Sequence, residues 1–240
     1  MQEKIVDSEL LHLFKGSSRK GNMMIKVIIF GITNKAQELK TYIDHDNTAK
    51  VCAFTVNHAH KISDDLMGVP VIAFENILEQ FSPADYQIAL AIGYSDMNRN
   101  REKKFNECKS LGYTIYTYVS EAANVYSDNI GEGTLILPGC TIAPFTSFGR
   151  GNILDNGATI GHNTHVGDFN YIAGNAVIGG ELKISNNCFL GAQSAIFGNI
   201  SDLTLIAAGT TILRDTDKGQ VFHPPKAFLS PGNSDYFTIP

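Results

Sequence analysis

From Ile130 to Ile196 a large apolar residue returns at every sixth position: Ile130, Ile136, Ile142, Phe148, Leu154, Ile160, Val166, Ile172, Ile178, Ile184, Leu190 and Ile196. That period suits neither an amphipathic helix nor an alternating strand. It suits short strands joined by tight corners, with one large side chain pointing inward per strand. Three such sides close a triangular coil, and stacked coils pair their strands in parallel about 4.8 Å apart. Gly or Ala follows the apolar residue at most sites, as at Gly131, Ala143, Gly161 and Gly179. Four places after it a small side chain is usual, as at Thr134, Cys140, Ala158, Thr164 and Cys188. Cys140 and Cys188 are therefore expected to be core thiols. The spacing breaks between Ile196 and Ile206, where a shortened coil is expected over Asn199–Thr204, and Ile212 resumes it.

The first half reads differently. Fourteen of the 19 Lys and Arg precede residue 110, whereas 16 of the 22 Gly follow residue 124. This shift marks a boundary near Ser120–Val125. Met24–Gly31, Val51–Val56 and Gln87–Gly93 read as buried strands, with helices over about Asn34–Asp46 and Met97–Leu111 and a further strand at Tyr113–Tyr118. Such alternation predicts an α/β N-terminal Rossmann-like domain over residues 24–122, with ligands at the carboxyl ends of its strands near Gly31, Thr55 and Gly93. Residues 1–23 form an extension in which Ile5–Phe14 could be one amphipathic helix. The coil domain spans 123–216, and 217–240 is a C-terminal tail.

Composition narrows the function. A net charge of −5 over 240 residues gives no basic face for nucleic acid or anionic membrane. With 43% hydrophobic and 18% charged residues, the chain is not disordered. No apolar run suits a membrane span, and the N-terminus lacks the pattern of a secretory signal. Cysteines at 52, 108, 140 and 188 form no CxxC or zinc spacing, which predicts a reduced, cytoplasmic protein.

The first strand ends in Gly31-Ile-Thr33-Asn34-Lys35, with one glycine in place of a G-x-G-x-x-G series, and Thr55-Val-Asn57 offers no acidic partner for a ribose. Both argue against dinucleotide redox chemistry. Gly93-Tyr94-Ser-Asp-Met-Asn98 precedes a helix and is a natural anion site or an ordinary loop. In the repeats, Ile160-Gly-His162-Asn163-Thr-His165-Val166 carries two imidazoles. His162, at a corner, points outward, where it could act as a base near neutral pH. A metal site with His165 lacks an evident third ligand, so no metal is expected.

Together, Ile-Ile-Phe-Gly31, Ala-Phe-Thr-Val-Asn57, Ala-Ile-Gly-Tyr94, Met97-Asn98-x-x-Arg101 and the repeats containing Ile-Gly-His-Asn163 resemble the bacterial sugar acyltransferases with hexapeptide repeats. That family includes sialic acid O-acetyltransferases and N-acetyltransferases of nucleotide-linked amino sugars. The resemblance implies a left-handed parallel β-helix, a homotrimer with sites between subunits, and acetyl-CoA or another acyl-CoA as co-substrate. It implies His162 as general base with Asn163 beside it, and Gly180 as the backbone donor to the thioester oxygen. Tyr171, Gly180, Ala192 and Ala208 would contact acyl-CoA. Gly31, Thr33, Asn34, Thr55, Gly93, Tyr94 and Asn98 would hold the nucleotide sugar.

Related enzymes often follow the base with a carboxylate, whereas Asn163 is neutral; Asp155 or Asp168 could replace it from a neighbouring face. A weaker base favours an amine over a hydroxyl acceptor. The resemblance thus implies N-acetylation of a nucleotide-linked amino-deoxy sugar for surface polysaccharide or glycan synthesis. The alternatives are O-acetylation of sialic acid or another sugar hydroxyl, a non-catalytic nucleotide-sugar-binding trimer, and a zinc hydratase on the same fold.

Overall fold

A computed structural model describes residues 24–225 of the chain. The extension at 1–23, with its candidate helix, and the tail beyond 225 lie outside the described residues.

The N-terminal part is a six-stranded sheet: β1 (Lys26–Phe30), β2 (Lys50–Val56), β3 (Asp65–Leu66), β4 (Val69–Ala73), β5 (Tyr86–Leu90) and β6 (Thr114–Ile115). The spatial order is β3-β4-β2-β1-β5-β6, parallel throughout except for the β3–β4 pair at the edge. Alternation along β1 sorts its side chains to two faces. Val27 and Ile29 pack with Leu39 and Ile43 of α1 (Asn34–Asp46). Ile28 and Phe30 pack with the short α2 (Ile77–Gln80) through Ile77, and with Phe105 and Cys108 of α3 (Arg99–Ser110). The edge hairpin was not foreseen: Asp64-Asp65 and Pro70 weaken its strand signal, and Pro70 is tolerated because it precedes Val71–Ala73, the part of β4 that pairs with β2.

The chain then winds into a triangular parallel helix. Its first face stacks Asn124–Val125, Thr141–Ile142, Thr159–Ile160, Val177–Ile178, Ala195–Ile196 and Thr211–Ile212. The second stacks Ser147–Phe148, His165–Val166 and Lys183–Ile184, extended by bridges from Ile130 and Ile200. The third runs from Tyr118–Val119 through Leu135–Ile136, Ile153–Leu154, Tyr171–Ile172, Phe189–Leu190 and Leu205–Ile206 to Val221–Phe222. The sixth-position residues from Ile136 to Ile196 point inward and are buried, and Cys140 and Cys188 lie among them with free thiols. Burial pushes Cys140 up to about 11 and Cys188 to about 12, so neither is a ready thiolate.

The break in spacing is smaller than the sequence suggests. Ile200, buried and bridged to Ile184, fills the missing inward position, so the corner after Ile196 loses two residues over Phe197–Asn199. The next coil does the same, with buried Thr216 in the place of an aliphatic residue before Phe222 pairs with Ile206. The helix therefore runs from Tyr118 to Phe222, past the expected limits at 123 and 216.

The sheet docks on the third face. Tyr118, Leu135, Ile153 and Tyr171 share one apolar cluster with β1 and α1, and Phe169 inserts beside Phe105 at 5.3 Å between ring centres. Asp46, at the end of α1, accepts from the Tyr118 hydroxyl (2.7 Å), Ser120 Oγ (2.9 Å) and the Glu121 amide (2.9 Å). Burial opposes its charge, but these three bonds outweigh that effect and lower its pKa. No helix among the described residues is long and apolar enough to cross a membrane.

Candidate active site

His162 stands on the corner between the first and second faces, directly after the strand Thr159–Ile160. Its corner needs a left-handed residue, which Asn163 supplies at φ 55°, a conformation that asparagine tolerates well. In that conformation Asn163 Oδ1 lies 3.1 Å from His162 Nδ1. An amide oxygen only accepts, so Nδ1 carries the hydrogen and the Nε2 lone pair is left free. The orienting acceptor sought on Asp155 or Asp168 is thus the adjacent amide itself. Asp155 is held by Lys35 (3.2 Å) and the Tyr171 hydroxyl (2.8 Å), and Asp168 by Arg150 (3.1 Å). Neither touches His162, because each faces a different corner.

The next coil places Gly179-Gly180 against the imidazole. A Cβ at Gly180 would lie 2.8 Å from His162 Nε2 and 3.0 Å from Cδ2 and Cε1. A Cβ at Gly161 would lie 2.4 Å from the Gly180 nitrogen. Glycine at both positions thus lets the two coils pack backbone to backbone and lets the imidazole rest directly on Gly180. Glu181 N–H donates to the His162 carbonyl at 2.7 Å and Thr164 Oγ1 to the Gly179 carbonyl at 2.9 Å, which fixes one coil on the other. Among the described residues nothing accepts from the Gly180 N–H, which leaves this donor unengaged next to the imidazole. Apolar side chains flank this corner in the open: Phe145 (76% exposed), Phe197 (54%) and Leu213 (76%). Phe197 was not singled out from the sequence, since it falls where the six-residue rule lapses.

His165 is separate from this pair. It points outward on the second face, with Nδ1 2.6 Å from Ser147 Oγ, in a shallow groove with Lys183, Asn186 and Asp202. The two imidazoles do not converge, and no group of three or more His, Cys, Asp or Glu among the described residues could hold a metal.

The acyl-CoA residues divide. Gly180 adjoins His162. Ala192 and Ala208 stack on the corner between the third and first faces, where a Cβ at Gly191 would strike the Ala208 nitrogen at 2.4 Å. Tyr171 is buried beneath the sheet, with its hydroxyl on Asp155 and its ring near Tyr94 and Phe189. One chain does not bring any of these three to His162, and Tyr171 instead seals the joint with the sheet.

At the carboxyl ends of the strands, Gly31, Thr33, Asn34, Gly93 and Tyr94 form a rim. Gly31 has φ 126° and donates to the Thr55 carbonyl at 2.8 Å; a Cβ there would approach the Ala91 carbonyl to 3.1 Å. Thr33 and Asn34, both exposed, open α1 without a side-chain cap, which leaves amide hydrogens available to an anion. Tyr94, 55% exposed, lies 4.4 Å from the Phe189 ring. Thr55 and Asn98 do not belong to this rim. Thr55 is completely buried and donates to the Ile72 carbonyl; Asn98 is completely buried and donates to the Cys188 carbonyl. Residues missed by the sequence reading include Lys35, which bonds Glu38 and Asp155 under the rim, and Phe189, which supports Tyr94.

No protein-family model matches the sequence, and neither does any curated protein. Solved structures do. The acetyltransferase domain of PglB from Neisseria gonorrhoeae FA1090 in complex with acetyl coenzyme A superposes with a TM-score of 0.75 at 19% identity, covering 83% of this chain and 96% of that one. WeeI from Acinetobacter baumannii AYE gives 0.73 at 19% identity, with 83% and 96% covered. PerB from Caulobacter crescentus in complex with CoA and GDP-perosamine gives 0.70 at 20% identity, with 82% and 92% covered. These likenesses establish the fold: the stacked parallel strands are consistent with the left-handed β-helix of acetyltransferases.

Proposed function

We propose that this chain is an acetyl-CoA-dependent N-acetyltransferase of a nucleotide-linked amino sugar. The observation that carries the reading is the arrangement of His162, Asn163 and Gly180: a free, oriented imidazole nitrogen against a bare, unpaired backbone N–H. It is supported by likeness to structures that hold acetyl coenzyme A, or CoA with GDP-perosamine. Acetyl-CoA supplies an activated acyl carbonyl and a thiolate leaving group. The pair suits it chemically, because the Gly180 N–H, with no other acceptor among the described residues, is free to receive the thioester oxygen beside the imidazole. His162 Nε2 takes the proton from the sugar amine as nitrogen bonds to the acyl carbon. The Gly180 N–H donates to the carbonyl oxygen as negative charge gathers there. His162 then returns its proton to the departing sulfur, so the amide and free CoA leave and the imidazole is restored.

The nucleotide sugar belongs on the rim of Gly31, Thr33, Asn34, Gly93 and Tyr94, in a Rossmann-like N-terminal domain. On a triangular coil, however, the corner carrying His162 lies opposite the third face, which that domain covers. A sugar on the rim therefore meets the His162 of another copy. The exposed Phe145, Phe197 and Leu213 along the His162 corner suit such an interface, and we assign the assembly as a homotrimer in which Ala192 and Ala208 face a neighbour's His162 across the acyl-CoA.

Free CoA release from acetyl-CoA, measured against UDP-, dTDP- and GDP-linked amino sugars with sialic acid and CMP-sialic acid alongside, tests the reading. Release with an amino sugar and not with a hydroxyl acceptor is expected. Turnover only with the hydroxyl acceptors would make it an O-acetyltransferase, and no binding of acetyl-CoA would end the reading. Asn163 gives a finer test. In Asn163→Asp a carboxylate faces Nδ1, stabilises the imidazolium and makes the base harder to deprotonate. The acid limb of the kcat/KM profile then moves to higher pH than in the parent, whereas Asn163→Ala lowers kcat without that movement.

A further inference from the structure

Arg101 is completely buried, and among the described residues no carboxylate lies within ion-pair distance of it. A buried guanidinium without a counter-ion is costly, so its hydrogen bonds must compensate. It makes four, all to backbone carbonyls. Nη1 donates to Ile92 (3.0 Å) and Gly93 (2.8 Å), on the loop that follows β5. Nε donates to Gly151 (2.8 Å) and Nη2 to Asn170 (3.1 Å), on one corner of the β-helix. Burial pushes the guanidinium down to about 9, which leaves it a cation at neutral pH.

Besides Arg101, the loop is held by Ile92, which packs on the sheet's core, and by the Asn98 N–H, which donates to the Tyr94 carbonyl at 3.3 Å; among the described residues only Arg101 bonds its Ile92 and Gly93 carbonyls. A Cβ added at Gly93 meets nothing within 4 Å, so side-chain packing does not fix that residue. Tyr94, the next residue, rests its half-exposed ring on Phe189 and Tyr171 of the third face. A planar fork that reaches two carbonyls on each side is a property of arginine and not of lysine. We propose that Arg101 is a positioning residue that pins the Ile92–Gly93–Tyr94 loop, and with it the nucleotide-sugar rim, to the β-helix. This inference rests on the reading of that rim as the acceptor site.

The chain contains no tryptophan, so Tyr94→Trp introduces a single fluorescent reporter on the loop. In that background Arg101→Lys and Arg101→Gln should shift the emission to the red as the ring leaves Phe189. Without the reporter, both substitutions should raise the KM for the nucleotide sugar about tenfold, the equivalent of one lost hydrogen bond to a charged group. The KM for acetyl-CoA should stay within about twofold, because Arg101 anchors on the corner of Gly151 and Asn170, whereas His162 and Gly180, and Ala192 and Ala208, lie on the other two corners. Lys109→Met, which removes an exposed ion pair to Glu132 across the same joint, should change none of these values. An unshifted emission, or equal changes in both KM values, overturns the inference while leaving the acetyltransferase reading intact. Failure of both Arg101 variants to fold also overturns it, since the residue would then carry the fold and not the loop. If no acceptor turns over in the parent, the acetyltransferase reading fails, and a red shift alone still decides whether Arg101 holds the loop.

Discussion

His162→Ala lowers kcat by about 10²–10⁴-fold, the span a general base supplies, while acetyl-CoA binds as before. The loss falls on kcat because the imidazole acts on the amine proton as the new bond forms, not on the thioester in its ground state. The side chain is exposed and supports no core contact, so the melting temperature should stay close to that of the parent. Calorimetric titration with acetyl-CoA, followed by single-turnover kinetics, separates the two steps. Unchanged turnover would remove His162 from the chemistry and leave a nucleotide-sugar-binding assembly as the better account.

Gly180→Ala has the second-largest expected effect, about 10²–10³-fold in kcat, comparable to loss of an oxyanion donor. The added methyl would sit 2.8 Å from His162 Nε2, closer than a carbon and nitrogen can pack. The ring must swing away, and the 3.1 Å bond to Asn163 Oδ1 goes with it. Base and donor are disturbed together, so His162→Ala added to Gly180→Ala should cost much less than the product of the two single losses. A double-mutant cycle on kcat measures this coupling, and simple additivity would show that the two residues act apart.

The β-helix was legible because its rule is local: one inward aliphatic residue per side, with a small residue admitted at the corner. The rule lapsed where a whole side takes only four residues, so Ile200 and Thr216 went unread although both occupy the inward stack. His162, Asn163 and Gly180 were singled out through the family resemblance; that the structure stacks Gly180 on His162 follows from the fixed offset between corners of successive coils. Thr55, Asn98 and Tyr171 were misread for a different reason. Each lies near a strand or helix end, where ligands collect, yet Thr55 is buried inside the sheet against Ile72, and the docking of sheet on β-helix buries Asn98 and Tyr171. That docking depends on residues far apart in the chain, such as Asp46 with Tyr118 and Phe105 with Phe169. Arg101 was hidden likewise: in a run of basic residues it reads as part of a solvated helix, and only the folded joint shows it turned inward.

The placement of His162 away from its own sheet also bears on heredity. If each working centre draws its base from one polypeptide and its sugar rim from another, two differently damaged alleles can repair one another. A chain lacking the imidazole and a chain with a spoiled rim, assembled together, would rebuild some intact centres that neither forms alone. A single chain carrying both lesions, diluted into normal copies, would instead spoil two centres for every position it occupies, and so weigh more heavily than its share of the population.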